Sequence, residues 1–148
     1  MEPTSEQHER FMRQAFLEAQ LAYQSDEVPV GAVVVCQGQV IARAHNLTEH
    51  LKDATAHAEM QAITAAAGHL GGKYLRQCTL YVTLEPCPMC AAAMYWSQIG
   101  SLVYAAADPK HGYNTISPHL LPPTTNVTSG PMAEESAELL REFFAKKR

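Results

Sequence analysis

Cys87 and Cys90 stand in Cys-x-x-Cys spacing, and upstream of them His57 is followed two positions later by Glu59. Thiolates and a neutral imidazole are ligands that zinc favours. Two cysteines three apart on the first turn of a helix face one point, where the positive end of the helix dipole favours the thiolate. Alone, the pair also fits a thioredoxin-like redox couple. His57 adds a third donor, and three protein ligands with an open fourth position are the catalytic form of a zinc site, whereas a structural site would take a fourth protein ligand. His45, His50, His69, His111 and His119 are available for that place. None has motif spacing to the cysteines, and each reads as a surface or packing histidine. Cys36 and Cys78, within or beside predicted strands, read as buried, unreactive thiols. Zinc chemistry on water near neutral pH calls for a proton acceptor, and Glu59 suits that part if His57 opens a helix. Deeper in a helix, a turn of about 100° per residue would send the two side chains to opposite faces. The alternative is a helix-starting Glu that only favours the dipole.

Positioning these groups takes a strand that feeds one helix and a second helix that starts beside it. Thr79 to Leu84 has the apolar, β-rich character of a buried central strand, and it runs straight into Glu85-Pro86-Cys87-Pro88-Met89-Cys90. Pro88 suits the first turn of a helix that continues to Gln98. Ala56 to Ala67 is a run of good helix formers ended by Gly68, with Gly71-Gly72 in the loop that follows. An earlier helix, capped by Thr4 or Ser5, is predicted to reach Gln24 on the stripe Phe11, Met12, Ala15, Phe16, Ala19 and Ala22. Gly31 to Cys36 and Gln39 to Ala44 predict a hairpin about Gln37-Gly38, Asn46 to Thr55 is irregular, and Leu102 to Ala106 is a further strand. A last amphipathic helix spans Glu134 to Lys146, its inner face Leu139, Leu140, Phe143 and Phe144. Ala107 to Thr125 is long and Pro-rich, and a loop of that length in a compact domain is usually functional or disordered. Helices alternating with strands imply an α/β fold, a three-layer α/β/α sandwich around a mixed sheet whose strand order stays open.

With 148 residues, 47% of them apolar, a single domain over 1–148 with one buried core is expected. No stretch approaches the roughly 20 apolar residues of a membrane span, and polar Met1 to Arg10 is unlike a signal peptide, so a soluble, cytoplasmic protein is expected. Four cysteines are too few for a disulfide scaffold. The net charge of -4 excludes the basic body of a non-specific nucleic-acid binder and leaves any RNA contact local. The one basic cluster, Lys146, Lys147 and Arg148 with Arg141 upstream, reads as a solvated tail.

His57-x-Glu59 with Pro86-Cys87-x-x-Cys90 resembles the signature of zinc nucleobase deaminases. Beyond it, Glu27-Val28-Pro29-Val30-Gly31-Ala32, His45-Asn46, Thr55-Ala56-His57-Ala58-Glu59 and Leu80-Tyr81-Val82-Thr83-Leu84-Glu85-Pro86-Cys87 are similar to bacterial tRNA-specific adenosine deaminases, and the similarity covers nearly the whole chain. The resemblance implies a cytidine deaminase-like, mixed five-stranded sheet and one Zn2+ per subunit on His57, Cys87 and Cys90. It also implies catalytic Glu59, a base contact at Asn46, further substrate contacts at Val28, Pro29 and Ala58, and a homodimer. The implied reaction is hydrolytic deamination of adenosine to inosine at the wobble position of a tRNA anticodon loop, on a nucleotide splayed into the pocket, with ammonia released. One departure follows the last central strand. Where the family has a Lys-Thr-Gly-Ala-Ala-Gly-Ser type of loop, Asp108 is followed here by Pro109-Lys110-His111-Gly112-Tyr113-Asn114-Thr115, which keeps Asp108 and Gly112. Another is Tyr95-Trp96-Ser97-Gln98, in place of a stretch that often holds a basic residue; with Pro88-Met89, Tyr95-Trp96 is similar to guanine deaminases of the same superfamily. The aromatic pair fits core or dimer packing equally. The alternative substrate is therefore a free nucleobase or nucleoside, guanine or cytosine. A zinc-stabilised binding module without catalysis would need an incidental Glu59 and a fourth ligand.

Overall fold

In the computed structural model, which describes residues 3–147, helix α1 (Ser5–Gln24) opens with a reciprocal cap. The Gln7 N–H donates to Thr4 Oγ1 at 3.2 Å and the Thr4 N–H to Gln7 Oε1 at 2.8 Å, so two donors that the helix leaves unpaired are satisfied. Strands β1 (Gly31–Cys36) and β2 (Gln39–His45) form the predicted hairpin. Gln37 and Gly38 both have positive φ, as a two-residue turn matched to strand twist requires. The remaining elements are α2 (Thr48–Leu51), α3 (Ala58–Leu70), β3 (Cys78–Leu84), α4 (Pro88–Ser97), β4 (Ser101–Ala106), two short 3-10 turns, β5 (Asn126–Ser129) and α5 (Ala133–Lys146).

The sheet runs β2-β1-β3-β4-β5. β1 is antiparallel to β2 and β3, while β3, β4 and β5 run parallel, so the sheet is mixed and five-stranded, as the resemblance implies. Side-chain alternation along β1 shows the layering. Val34 joins the core against α3 and α4, with Leu80, Val82, Ala62, Ala66 and Met94. Val33 and Val35 join the opposite core with Met12, Ala15, Tyr81 and Val103 under α1. Both faces are covered, which is why β1 reads as an unbroken apolar run. Gly31 lets α1 come close: a Cβ there would stand 2.1 Å from the Ala15 carbonyl oxygen and 2.4 Å from the Ala19 nitrogen.

Several sequence expectations need correction. α3 starts at Ala58 and continues through Gly68 to Leu70, because the left-handed residue that ends it is Gly71, at φ 69°. The stretch from 46 to 55 contains α2. β5 falls in a segment to which the periodicity assigned no strand: its four residues are all exposed and polar or isolated, so no alternation marks it. In α5 Phe143 is buried against Tyr23, but Phe144, a further 100° or so around the helix, is 45% exposed. The basic end is not simply solvated, since Lys147 pairs with Asp26 at 2.6 Å and Lys146 lies over the Tyr23 ring; Arg148 is outside the described residues. Cys36 is half-buried rather than buried, and it faces Cys78 across the β1–β3 ladder. Among the described residues no helix is long and apolar enough to cross a membrane.

Candidate active site

Parallel strands β3 and β4 end side by side, joined where the Glu85 N–H donates to the Ala106 carbonyl at 2.8 Å. In open α/β sheets a crevice forms at such carboxyl ends, and α3 and α4 both begin there. His57 is the cap residue of α3 and Cys87 that of α4, each with extended backbone, while Cys90 lies in the first turn of α4 behind Pro88. The two helix starts thus bring three donors together: His57 Nδ1 is 3.6 Å from Cys87 Sγ and 3.5 Å from Cys90 Sγ. A tetrahedral zinc with ordinary Zn–S and Zn–N bond lengths would hold nitrogen and sulfur about 3.6 Å apart, so the spacing fits that ion without rearrangement. Among the described residues this is the one group of three or more His, Cys, Asp or Glu whose donor atoms converge in this way.

Electrostatics divides the two thiols. A hydrogen bond from Cys90, opposed by burial and helped by His57, lowers Cys87 to about 4, so it stands as a thiolate. The same hydrogen bond, with burial and the nearby Glu59 charge, pushes Cys90 far up. The bond to Cys87 also raises His57 despite its partial burial. Zinc must displace the proton held by Cys90, so its affinity should rise with pH, by roughly tenfold per unit for each proton released. Competition against a chelator at two pH values either side of neutrality measures that slope, and a flat affinity would contradict the donor set.

Glu59, the second residue of α3, is 4% exposed. Burial, foremost, raises its carboxyl to about 7, with the Cys87 charge adding to the rise and its own backbone N–H, His57 and Cys90 opposing it. It lines a cavity of about 220 Å³ together with His57, Ala58, Cys87, Val28, Val30 and Asn46. The expected opening of a helix at His57 is what lets His57 and Glu59 face the same space. Pro29 does not line the cavity. Pro29 is the middle residue of a three-residue turn closed by the Val30 N–H, which donates to the Val28 carbonyl at 2.8 Å, and it is Val28 and Val30 on either side that line the cavity.

The remaining wall was not foreseen: Thr48, Leu84, Glu85, Asp108 and His111. Of the histidines read as surface or packing residues, His111 is exposed at this mouth; the long loop and the retained Asp108 were the signals that could have pointed to it. A second omission is Glu27, which is fully buried behind Asn46. It accepts hydrogen bonds from Asn46 Nδ2 at 3.2 Å and from the backbone N–H groups of Glu49 at 3.1 Å and His50 at 2.8 Å. Burial pulls its pKa upward, but these donors and the His50 ring at 2.6 Å outweigh it and leave the carboxyl below its ordinary value. Because a carboxylate only accepts, it holds the Asn46 amide nitrogen toward itself.

Residues 5–106 match the cytidine and deoxycytidylate deaminase zinc-binding region. The chain belongs to this deaminase family. It is a zinc-dependent hydrolytic deaminase, and zinc is the cofactor that its histidine and cysteine donors fit. Within the family it is similar to the tRNA-specific adenosine deaminase of Aquifex aeolicus (strain VF5), at 46% identity over 145 residues and 95% of each chain. A structure from studies of A-to-I editing by tRNA:A34 deaminases at the wobble position is 46% identical, with a TM-score of 0.82 over 88% of this chain and 99% of that one. A guanine deaminase from Nitrosomonas europaea is also similar, at 27% identity and a TM-score of 0.82 over 93% and 84% of the two chains. These deaminases share the frame, and Asp108 to Asn114 lies just past the matched region, where this chain closes its cavity.

Proposed function

We propose that the chain, acting as one domain over 1–148, converts adenosine to inosine at the wobble position of a tRNA anticodon loop. His57, Cys87 and Cys90 hold the zinc, and the ion when bound supplies Lewis acidity for the hydrolysis. Glu59 takes the proton of the attacking water and hands it to the ring nitrogen beside the reacting carbon. The same carboxyl then carries the proton of the hydroxyl now on that carbon to the amine, the carbon–nitrogen bond breaks as the carbonyl forms, and the amine leaves as ammonia. Val28, Val30 and Ala58 enclose the base in apolar surface, and Asn46, fixed by Glu27, supplies an amide for its edge. The observation that carries this reading is the buried carboxyl of Glu59, set between the three-donor cluster and a cavity sized for one base. End-to-end similarity to a tRNA-specific adenosine deaminase supports the choice of substrate.

The proposal includes a cytoplasmic homodimer. Its support is the exposed pair Tyr95 and Trp96, 47% and 77% accessible, which the chain's own core leaves uncovered.

A free base such as guanine or cytosine is the second reading. It is favoured by the absence of any Lys or Arg among the residues lining the cavity. Incubating zinc-loaded protein with an anticodon stem-loop carrying wobble adenosine, followed by mass spectrometry, separates the two. Inosine is expected, with stem-loop binding that weakens steeply as salt rises. No inosine from folded, zinc-loaded protein would reject the tRNA assignment and direct the assay to guanine.

A further inference from the structure

Glu85 sits between β3 and α4, is 5% exposed, and has no part in the proton transfers above. Its carboxylate is occupied by the segment that follows β4. Oε1 accepts the Asp108 backbone N–H at 3.1 Å, and Oε2 accepts both the Asn114 backbone N–H at 3.1 Å and Asn114 Nδ2 at 3.2 Å. The same segment leans on the neighbouring backbone through the Tyr113 N–H, which donates to the Pro86 carbonyl at 2.8 Å.

Gly112 shows how close this approach is. A Cβ there would lie 2.1 Å from Glu85 Oε2, 2.3 Å from its Cδ and 2.7 Å from the Asp108 carbonyl oxygen. With φ at -67°, Gly112 is needed for space and not for an unusual backbone. Held in this way, Asp108 accepts the N–H groups of Lys110 and His111 on its own carboxylate and folds the turn that sets Asp108 and His111 at the cavity mouth.

We propose that Glu85 is a positioning residue for substrate: its carboxylate fastens 108–114 across the mouth of the cavity and thereby governs how firmly a base is held, leaving the chemical step to Glu59. The substrate half of this inference rests on the deaminase reading above. A carboxylate is acceptor-only, and a glutamine in its place would turn its amide NH2 toward the N–H of either Asp108 or Asn114, so one of the loop's ties must break.

The test uses Glu85→Gln and, from the loop side and away from Cys87, Gly112→Ala. Both are loaded with zinc and compared with the parent protein by metal content, by hydrogen exchange of the peptide covering 108–114, and by steady-state kinetics. Exchange in that peptide should quicken by at least roughly tenfold, with zinc content unchanged. KM should rise about tenfold, on the scale of one lost charge-assisted hydrogen bond, with kcat within about twofold. Unchanged exchange, or faster exchange with an unchanged KM, overturns the proposal, as does a loss confined to kcat. Should Glu85→Gln fail to fold, Gly112→Ala decides alone. If the parent protein proves inactive on the stem-loop but active on guanine, the tRNA assignment falls, while exchange and the KM for guanine still judge Glu85.

Discussion

Glu59→Ala should lower kcat by roughly 10³-fold, within the usual range for removing a general acid-base, while the protein stays folded and keeps its zinc. The size of the effect follows from the lack of a substitute. Two other carboxyls line the cavity, but that of Glu85 is taken by loop N–H groups and that of Asp108 by Lys110 and His111. Glu59→Gln should lose as much activity, because it keeps the volume and cannot carry the proton. Single-turnover rates on the stem-loop with zinc measured on the same sample check both variants, and retained activity in either would remove Glu59 from the chemistry.

The same buried carboxyl leaves a mark on stability in the metal-free protein. A carboxyl with its folded pKa raised to about 7 contributes stability that is fully present below its ordinary value, and this contribution is lost as pH rises through about 7. Metal-free Glu59→Gln should therefore gain on the parent between pH 5 and pH 8, as read from denaturant midpoints at the two ends.

Cys87→Ala should lose metal and stability together. One of two thiolate donors disappears, along with the side chain that sustains the raised His57. Zinc per chain should fall below roughly one-tenth after dialysis, since the remaining donors cannot close three sides of a tetrahedron. The folded protein then forfeits the linkage term, which is about 4 kcal/mol when free zinc exceeds Kd a thousandfold. Calorimetry distinguishes this from the Glu59 variants. The melting temperature of Cys87→Ala should no longer respond to added zinc, whereas that of Glu59→Ala should still rise. Full zinc content in Cys87→Ala would remove that cysteine from the donor set.

The parts legible in the sequence were those governed by local spacing. The stripe from Phe11 to Ala22, the Gln37-Gly38 turn and the run from Thr79 to Leu84 each obey a short period or a backbone requirement, and the structure follows them. His57, Glu59, Cys87 and Cys90 were legible for the same reason, since helix starts place residues one to three apart in known directions. What escaped depends on distant partners. Glu27 and Glu85 look like any surface glutamate until the fold brings N–H donors from 49–50 and 108–114 onto them. Val28 and Val30 line the cavity and Pro29 does not, because the chain makes a three-residue turn about Pro29 that no periodicity in the sequence marks. Exposed β5 has no pattern to read, because its one constraint is pairing with β4.

Gly112 against Glu85 has a further meaning for change over time. The donor cage and the proton carrier are confined to two helix starts, whereas the rim is a separate length of chain fastened by a few hydrogen bonds and by Tyr113 in the core. A lineage can therefore redraw the rim, residue by residue or by insertion between Thr115 and Asn126, without disturbing the metal. Such a molecule is open to new substrates and conservative in its chemistry, provided that position 112 stays without a side chain.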